Sequence, residues 1–218
     1  MNQQIHTFEL LQRNRLSADS FELAISRPLH FTFQPGQRIR LLDRSQERDY
    51  SLANAPEDAF LRLCIRRVQG GSFSTQLYTA AIGSRFEFTG PHGHFLFRPS
   101  GRSAVFVATG TGAAPFASMA RAGERGFTLL HGVRAPEDLL YADLFQTTAN
   151  VYVPCISGET SPAARMMYQG WVTSYVDREL PPDEYDFYLC GRSEMIRDVT
   201  WLIDDRFPGS KVYSEIFF

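Results

Sequence analysis

The sequence predicts a two-domain protein: an N-terminal antiparallel β-barrel followed by a C-terminal α/β domain built on a parallel sheet. Three observations carry that prediction. Up to about Phe97, apolar residues alternate with polar ones at a period of two, the pattern of half-buried strands. Beyond a polar joint, Arg98-Pro99-Ser100-Gly101-Arg102, strand-like runs alternate with helical ones, the rhythm of a parallel sheet covered on both faces. The chain has 218 residues, enough for two modest hydrophobic cores. The expected domains are therefore 1–99 and 102–218.

In the first half Phe21, Leu23 and Ile25 alternate, as do Leu61, Leu63 and Ile65, and then Phe86 and Phe88. Turns such as Gln34-Pro35-Gly36 and Gly90-Pro91-His92-Gly93 separate the strands. A single helix is expected around Ser74–Ala80. In the second half a strand Ser103–Ala108 leads to a helix near Ala113–Ala122, and a strand Phe127–His131 to a helix near Pro136–Phe145. Strand Val151–Ile156 precedes a helix Trp171–Arg178. Strand Asp186–Cys190 precedes a helix Glu194–Arg206, where Met195, Ile196, Val199, Leu202 and Ile203 share one face. A last strand is expected at Lys211–Ile216.

Composition excludes several function classes. Hydrophobic residues make up 44% and charged residues 21%, as in a globular protein, and the net charge of −2 gives no footprint for nucleic acid. No apolar run approaches the roughly 18 residues of a membrane span. The start, MNQQIHTFEL, lacks the basic and apolar regions of a secretory signal, so a cytoplasmic location is expected. Cys64, Cys155 and Cys190 form no CxxC pair, which argues against a zinc site, a disulfide framework or an internal iron–sulfur cluster. His92 and His94 form a His-x-His without a nearby third ligand, and no metal is assigned.

The stretch 107–119, VATGTGAAPFASM, carries the functional question. Gly110 and Gly112 follow a buried strand and precede a helix, the context in which free N–H groups meet an anion. Yet Pro115 stands where the third glycine of GxGxxG would fall, and the Lys-Ser/Thr ending of a phosphate loop is missing. On this stretch alone, nucleotide binding and a structural strand-to-helix turn both stay open.

Other motifs keep it company: RDYSLANAP (48–56), IRRVQGGSFS (65–74), HGVR (131–134), YLCGRSEM (188–195) and YSEIFF (213–218). In that order, split across a β half and an α/β half, they resemble the ferredoxin–NADP⁺ reductase superfamily. The nearest members are FAD-containing reductase modules that serve bacterial oxygenases and ferredoxins, and the resemblance covers essentially the whole chain.

The resemblance implies a set of roles. FAD would be held through its pyrophosphate by Arg48 and by the Gly70-Gly71-Ser72-Phe73-Ser74 turn, with hydroxyls from Ser72 and Ser74. Tyr50 would pack on the isoalloxazine and Ser51 would lie near flavin N5. Arg66 or its neighbour Arg67 would reach the phosphates. Gly110, Thr111, Gly112, Ala114 and Pro115 match the family's Gly-Thr-Gly-x-Ala-Pro loop for the nicotinamide dinucleotide. Cys190, Gly191 and Met195 would supply its second contact, with Cys190 beside the nicotinamide ring and not a covalent nucleophile. Glu215 and a terminal aromatic, Phe218 or Phe217, would complete the site. Ser51, Cys190 and Glu215 are the expected catalytic residues.

NADP-specific relatives typically place an arginine soon after the third α/β strand. Here Gly158 stands in its place, followed by Glu159, although Arg134 and Arg165 lie near in sequence. NADH is therefore expected over NADPH. The implied activity is hydride transfer from NAD(P)H to FAD and delivery of the electrons to a separate acceptor, a ferredoxin or an oxygenase component. Two rivals remain open: a flavin reductase that releases free reduced flavin, and an electron-transfer subunit of a larger complex.

Overall fold

The computed structural model describes residues 4–43, 46–158 and 162–216. Its chain divides into two compact units, residues 1–97 with 114–122, and residues 98–113 with 123–218.

The first unit is a barrel of six antiparallel strands: β1 (Ile5–Arg15), β2 (Ser20–Ser26), β3 (Arg38–Asp43), β4 (Gln46–Ser51), β5 (Phe60–Arg66) and β6 (Arg85–His92). They lie in the order β4-β3-β6-β1-β2-β5. The two end strands meet where Leu52 bridges Leu63 and the Ala53 N–H donates to the Arg62 carbonyl at 2.9 Å. Closure of this kind removes the sticky edge that an open sheet would present. The alternating residues read from the sequence line the interior, with Phe21, Leu23, Ile25, Leu61, Leu63, Ile65 and Phe88 all buried in one core. Helix α1 (Ser72–Thr79) adds Phe73 and Leu77 to that core.

Helix α2 (Ala114–Arg121) follows the glycine-rich stretch, and its residues 114–120 are all buried. It groups with the barrel. Its Ser118 hydroxyl donates to the Asn54 carbonyl at 2.7 Å, its Arg121 guanidinium donates to the Ala53 carbonyl, and its Phe116 ring meets Phe95 edge-on. A helix buried all round needs small or apolar residues on every face, which Ala-Pro-Phe-Ala-Ser-Met-Ala supplies.

The second unit is a six-stranded parallel sheet of β7 (Ser103–Thr109), β8 (Thr128–Val133), β9 (Val151–Ile156), β10 (Tyr168–Gln169), β11 (Tyr185–Gly191) and β12 (Lys211–Ile216). The order is β10-β9-β8-β7-β11-β12. From β7 the chain steps outward through β8 and β9, then returns to lay β11 on the other side of β7. Helices α3 (Ala142–Thr148), α4 (Val172–Arg178) and α5 (Ser193–Arg206) complete the unit. The polar joint folds back on β11: the Arg98 N–H donates to the Tyr188 hydroxyl at 3.0 Å, and the Ser100 hydroxyl donates to buried Asp186 at 2.6 Å.

One expected element differs. In place of a helix over Pro136–Phe145 there is a 3₁₀ turn at Pro136–Asp138, a left-handed Tyr141 (φ 57°) and then α3. Leu139 packs beside a small apolar cluster of Val133, Ile156 and Ala164, while Leu140 and Phe145 are buried elsewhere. The left-handed Tyr141 ends any helical run from Pro136 and lets α3 start afresh at Ala142.

Candidate functional site

In the barrel, β4 pairs with β3 so that Leu41 faces Arg48, Ile39 faces Tyr50 and Arg38 faces Ser51. Residues opposite one another share a face of the sheet. Tyr50 therefore packs against the barrel core beside Ile39, and its phenol is pushed up to about 12 by burial, with the nearby Arg48 charge opposing. The ring stays neutral across the physiological range. Arg48, on the same side, is exposed.

Asp49 projects to the other face and accepts from Arg38 Nε at 2.9 Å and from Arg40 Nε and Nη2 at 2.7 and 3.0 Å. Burial raises its pKa, but the hydrogen bonds from Arg40 and Arg38 outweigh that and hold the carboxyl below its ordinary value. This clamp pins β4 to β3. His92, on β6, lies 2.9 Å from the Thr89 hydroxyl and titrates below its ordinary value, through burial first and then the Arg40 charge.

The glycine turn before α1 comes to the start of β4 through a residue that sequence reasoning missed. Gln46 Nε2 donates to the Ser72 hydroxyl at 2.9 Å, and its Oε1 accepts from Arg48 at 3.5 Å. Gln46 lies two residues before Arg48 on one strand, so the strand period alone placed the two side chains together. Gly71 precedes α1 with no side-chain cap, which leaves the helix's first N–H groups without that partner. An exposed guanidinium, an amide, a hydroxyl and the N–H groups of a helix start without a side-chain cap make a donor set suited to a pyrophosphate.

Ser74 turns inward: it is buried, and its hydroxyl accepts the Val68 N–H at 3.1 Å, which shapes the turn. Arg66 pairs with Asp19 at 3.1 Å, and Arg67 lies over the Tyr78 ring at 4.7 Å. Among the described residues neither arginine hydrogen-bonds to the Gln46–Arg48–Ser72 group. Ser51 is buried at the end of β4.

In the second unit the strand order reverses between β7 and β11. Open α/β sheets bind ligands in the crevice at the carboxyl ends of the strands on either side of such a reversal. Here those ends carry the two motifs singled out from sequence. Thr109 closes β7 and Gly110–Ala113 forms a 3₁₀ turn, while Cys190 and Gly191 close β11. The two pack tightly. A β-carbon at Gly112 would sit 2.2 Å from the Cys190 carbonyl oxygen, and one at Gly191 would sit 2.1 Å from Thr109 Oγ1. Only residues without a β-carbon let these main chains approach so closely. Glu215, buried on β12, stands in register with Cys190, as does Ala108 on β7.

Thr111 is half-buried and Gly110 exposed, whereas Ala114 and Pro115 are buried in α2. Cys190 is fully buried, so its thiol presents no surface here. Met195 packs in the core cluster that holds Val107, Leu189 and Val199. Arg134 is exposed at the end of β8, and its carbonyl accepts the Gly158 N–H at 2.9 Å. Phe217, Phe218 and Glu159 lie outside the described residues.

His131, also in the HGVR segment, is buried beneath the sheet's carboxyl end. Its Nδ1 lies 3.1 Å from the Tyr152 hydroxyl, its Nε2 has no hydrogen-bond partner among the described residues, and burial lowers its pKa to about 4. Cys155 is buried as expected, and burial pushes its thiol up to about 12. No helix among the described residues is long and apolar enough to cross a membrane.

Residues 7–97 match the oxidoreductase FAD-binding domain family and residues 106–200 the oxidoreductase NAD-binding domain family. The chain is 36% identical to a ferredoxin–NADP reductase B of Sorangium cellulosum, over 81% of this chain and 80% of that one. It is 32% identical to a toluate 1,2-dioxygenase electron transfer component of Pseudomonas putida, over 78% of this chain but 54% of that one. Among solved structures, an Amycolatopsis cytochrome P450 reductase superposes with a TM-score of 0.84 at 27% identity, over 99% of this chain and 71% of that one. A Neisseria gonorrhoeae ferredoxin NADP⁺ reductase with bound FAD and NADP has the same fold over the full length of both chains, with a TM-score of 0.87 and 22% identity. The chain spans about half to two thirds of the oxygenase electron transfer components it matches.

Proposed function

The chain belongs to the ferredoxin–NADP reductase superfamily, and on that premise we propose that it is an NAD(P)H-dependent flavoprotein reductase serving a separate protein acceptor, a ferredoxin or an oxygenase component. The observation that carries this reading is the meeting of the Gly110–Ala113 turn and the Cys190–Gly191 strand end where the sheet order reverses. Bound FAD supplies the chemistry that no side chain offers, acceptance of a hydride and release of electrons singly or in pairs.

The chain's own residues bind and orient. Arg48, Gln46 and Ser72, with the N–H groups opening α1, hold the phosphates of the flavin nucleotide. Neutral Tyr50 offers an aromatic surface beside them. Ser51, at the end of β4, serves the flavin side, while the Gly110–Ala113 turn offers main-chain N–H groups to the nicotinamide dinucleotide, with Cys190 and Glu215 in register on the strands beside it. An acceptor of separate identity fits the relatives, several of which are themselves electron transfer components of oxygenases.

We infer NADH as the preferred donor. Gly158 takes the place of the arginine that NADP-specific relatives carry, and a β-carbon there would meet the Arg134 carbonyl oxygen at 2.4 Å. That close approach leaves no room for a side chain that reads a 2′-phosphate.

The test is direct. The purified chain, supplied with FAD and freed of excess, is expected to be yellow and to bleach when NADH is added anaerobically. A chain that stays colourless overturns the reading. Bleaching by NADPH but not NADH overturns the donor preference alone, and turnover that requires added free flavin reassigns the chain as a flavin reductase.

A further inference from the structure

Thr109, the last residue of β7, touches the strands on both sides of it. On β8 it stands in register with Gly132, where a β-carbon would meet the Thr109 methyl at 3.2 Å and Val172 Cγ1 at 2.9 Å. On β11 a β-carbon at Gly191 would overlap the Thr109 hydroxyl. The two branches of one side chain thus fill the room left by two glycines on adjoining strands. A β-branched residue is stiff at χ1, and with its methyl seated against Gly132 the hydroxyl is aimed at β11.

There it accepts the Arg192 N–H at 3.1 Å. Arg192 is the residue from which α5 starts, and that helix has no side-chain cap of its own. The bond therefore fixes the main chain at the point where it leaves β11, beside the Gly110–Ala113 turn that continues from Thr109 itself.

We propose that Thr109 is a positioning residue for the nicotinamide nucleotide: its hydroxyl locks Gly191 and Arg192 to the glycine turn, so that both loops present one fixed surface. This rests on the nucleotide-binding reading given above. Thr109 acts through the two loops, and the hydroxyl, not the methyl, carries the effect on the ligand.

The test uses the full FAD-loaded chain in anaerobic stopped-flow reduction by NADH, comparing Thr109→Val, Thr109→Ser and Thr109→Ala. Loss of one neutral hydrogen bond is expected to raise the half-saturating NADH concentration about threefold to tenfold in the Val and Ala variants, more than it lowers the limiting rate. Thr109→Ser, which keeps the hydroxyl, is expected to stay within about twofold of the parent. Thermal midpoints read on the same samples report packing separately. A Val variant with a lowered midpoint and unchanged half-saturation overturns the proposal, as does a Ser variant that behaves like Ala. Should Thr109→Val not fold, the Ser and Ala pair decides. A parent protein that binds flavin but is bleached by neither NADH nor NADPH overturns the nucleotide reading itself, a result visible before any variant is made.

Discussion

The α-carbon of Gly112 lies so close to β11 that a side chain there would collide with Cys190: the added β-carbon would stand 2.2 Å from the Cys190 carbonyl oxygen and 2.8 Å from the Gly191 α-carbon. Neither neighbour is a flexible side chain that can swing away. Gly112→Ala is therefore expected to destabilise the protein by about 1–3 kcal/mol or more, the range for overpacking. It should also weaken NADH-dependent flavin reduction, because the strand end must move. Thermal unfolding and anaerobic bleaching measure the two effects on one sample.

Arg48→Ala is expected to weaken FAD binding about ten- to hundredfold, the consequence of losing hydrogen bonds to a charged group. Gln46→Ala, which removes the link between Arg48 and Ser72, should weaken it by a smaller factor. Quenching of free-flavin fluorescence on titration with apoprotein reads both. Equal affinity of Arg48→Ala and the parent would remove Arg48 from the phosphate site.

Much of this was legible from residue order alone, and the reasons are local. Strands β9 and β12 fall where apolar runs bounded by turns placed them, at Val151–Ile156 and Lys211–Ile216. The glycine-rich stretch stood out by its residues, and the Cys190 segment by its resemblance to a family motif. That they touch did not, because Thr109 and Arg192 are 83 residues apart and meet only through the β7–β11 pairing. Gln46 escaped notice because a lone glutamine on an exposed strand has no signature. The break at Tyr141 escaped because helical periodicity runs through a segment in which Leu139 joins the Val133 cluster while Phe145 meets the rings of His131 and Tyr152.

Acid should find Asp49 late. Its pKa is depressed in the folded state, so the stability it contributes is complete above the ordinary aspartate value of 3.8 and disappears only as pH falls through the lower folded value. Asp49→Asn is expected to be less stable than the parent at neutral pH, with the difference closing below pH 3.8. Urea midpoints at pH 7 and in strong acid check this.

His131 should act earlier in the same descent. Its folded pKa, about 4, lies below its ordinary 6.5, so the unfolded chain takes up the proton first as pH falls. The stability is complete above 6.5 and is lost progressively down to about 4. By linkage the loss is on the order of 3 kcal/mol. His131→Phe keeps an aromatic ring beside Phe145 and cannot titrate. Its urea midpoint should fall less than the parent's between pH 7 and pH 4.5, whatever its absolute stability; parallel curves would refute the assignment.

Building the missing arginine should not convert the donor preference. Gly158→Arg forces the loop away from the Arg134 carbonyl, which breaks the Gly158 N–H bond of 2.9 Å. The expected outcome is a lower thermal midpoint with no gain in NADPH-driven over NADH-driven reduction. A clean switch to NADPH at unchanged midpoint would show that this loop yields.

The allocation of α2 bears on how such a chain can be recombined. The helix lies beyond Phe97 in sequence, yet its Ser118 and Arg121 serve the carbonyls of Asn54 and Ala53, and Gly36 has room for no β-carbon partly because Met119 is there. A chimera that joins this barrel to the nucleotide-binding half of a relative therefore sets a foreign helix against the Ala53 and Asn54 carbonyls. Crossovers on either side of residues 114–122 would transplant the sheet and keep the native helix with its barrel.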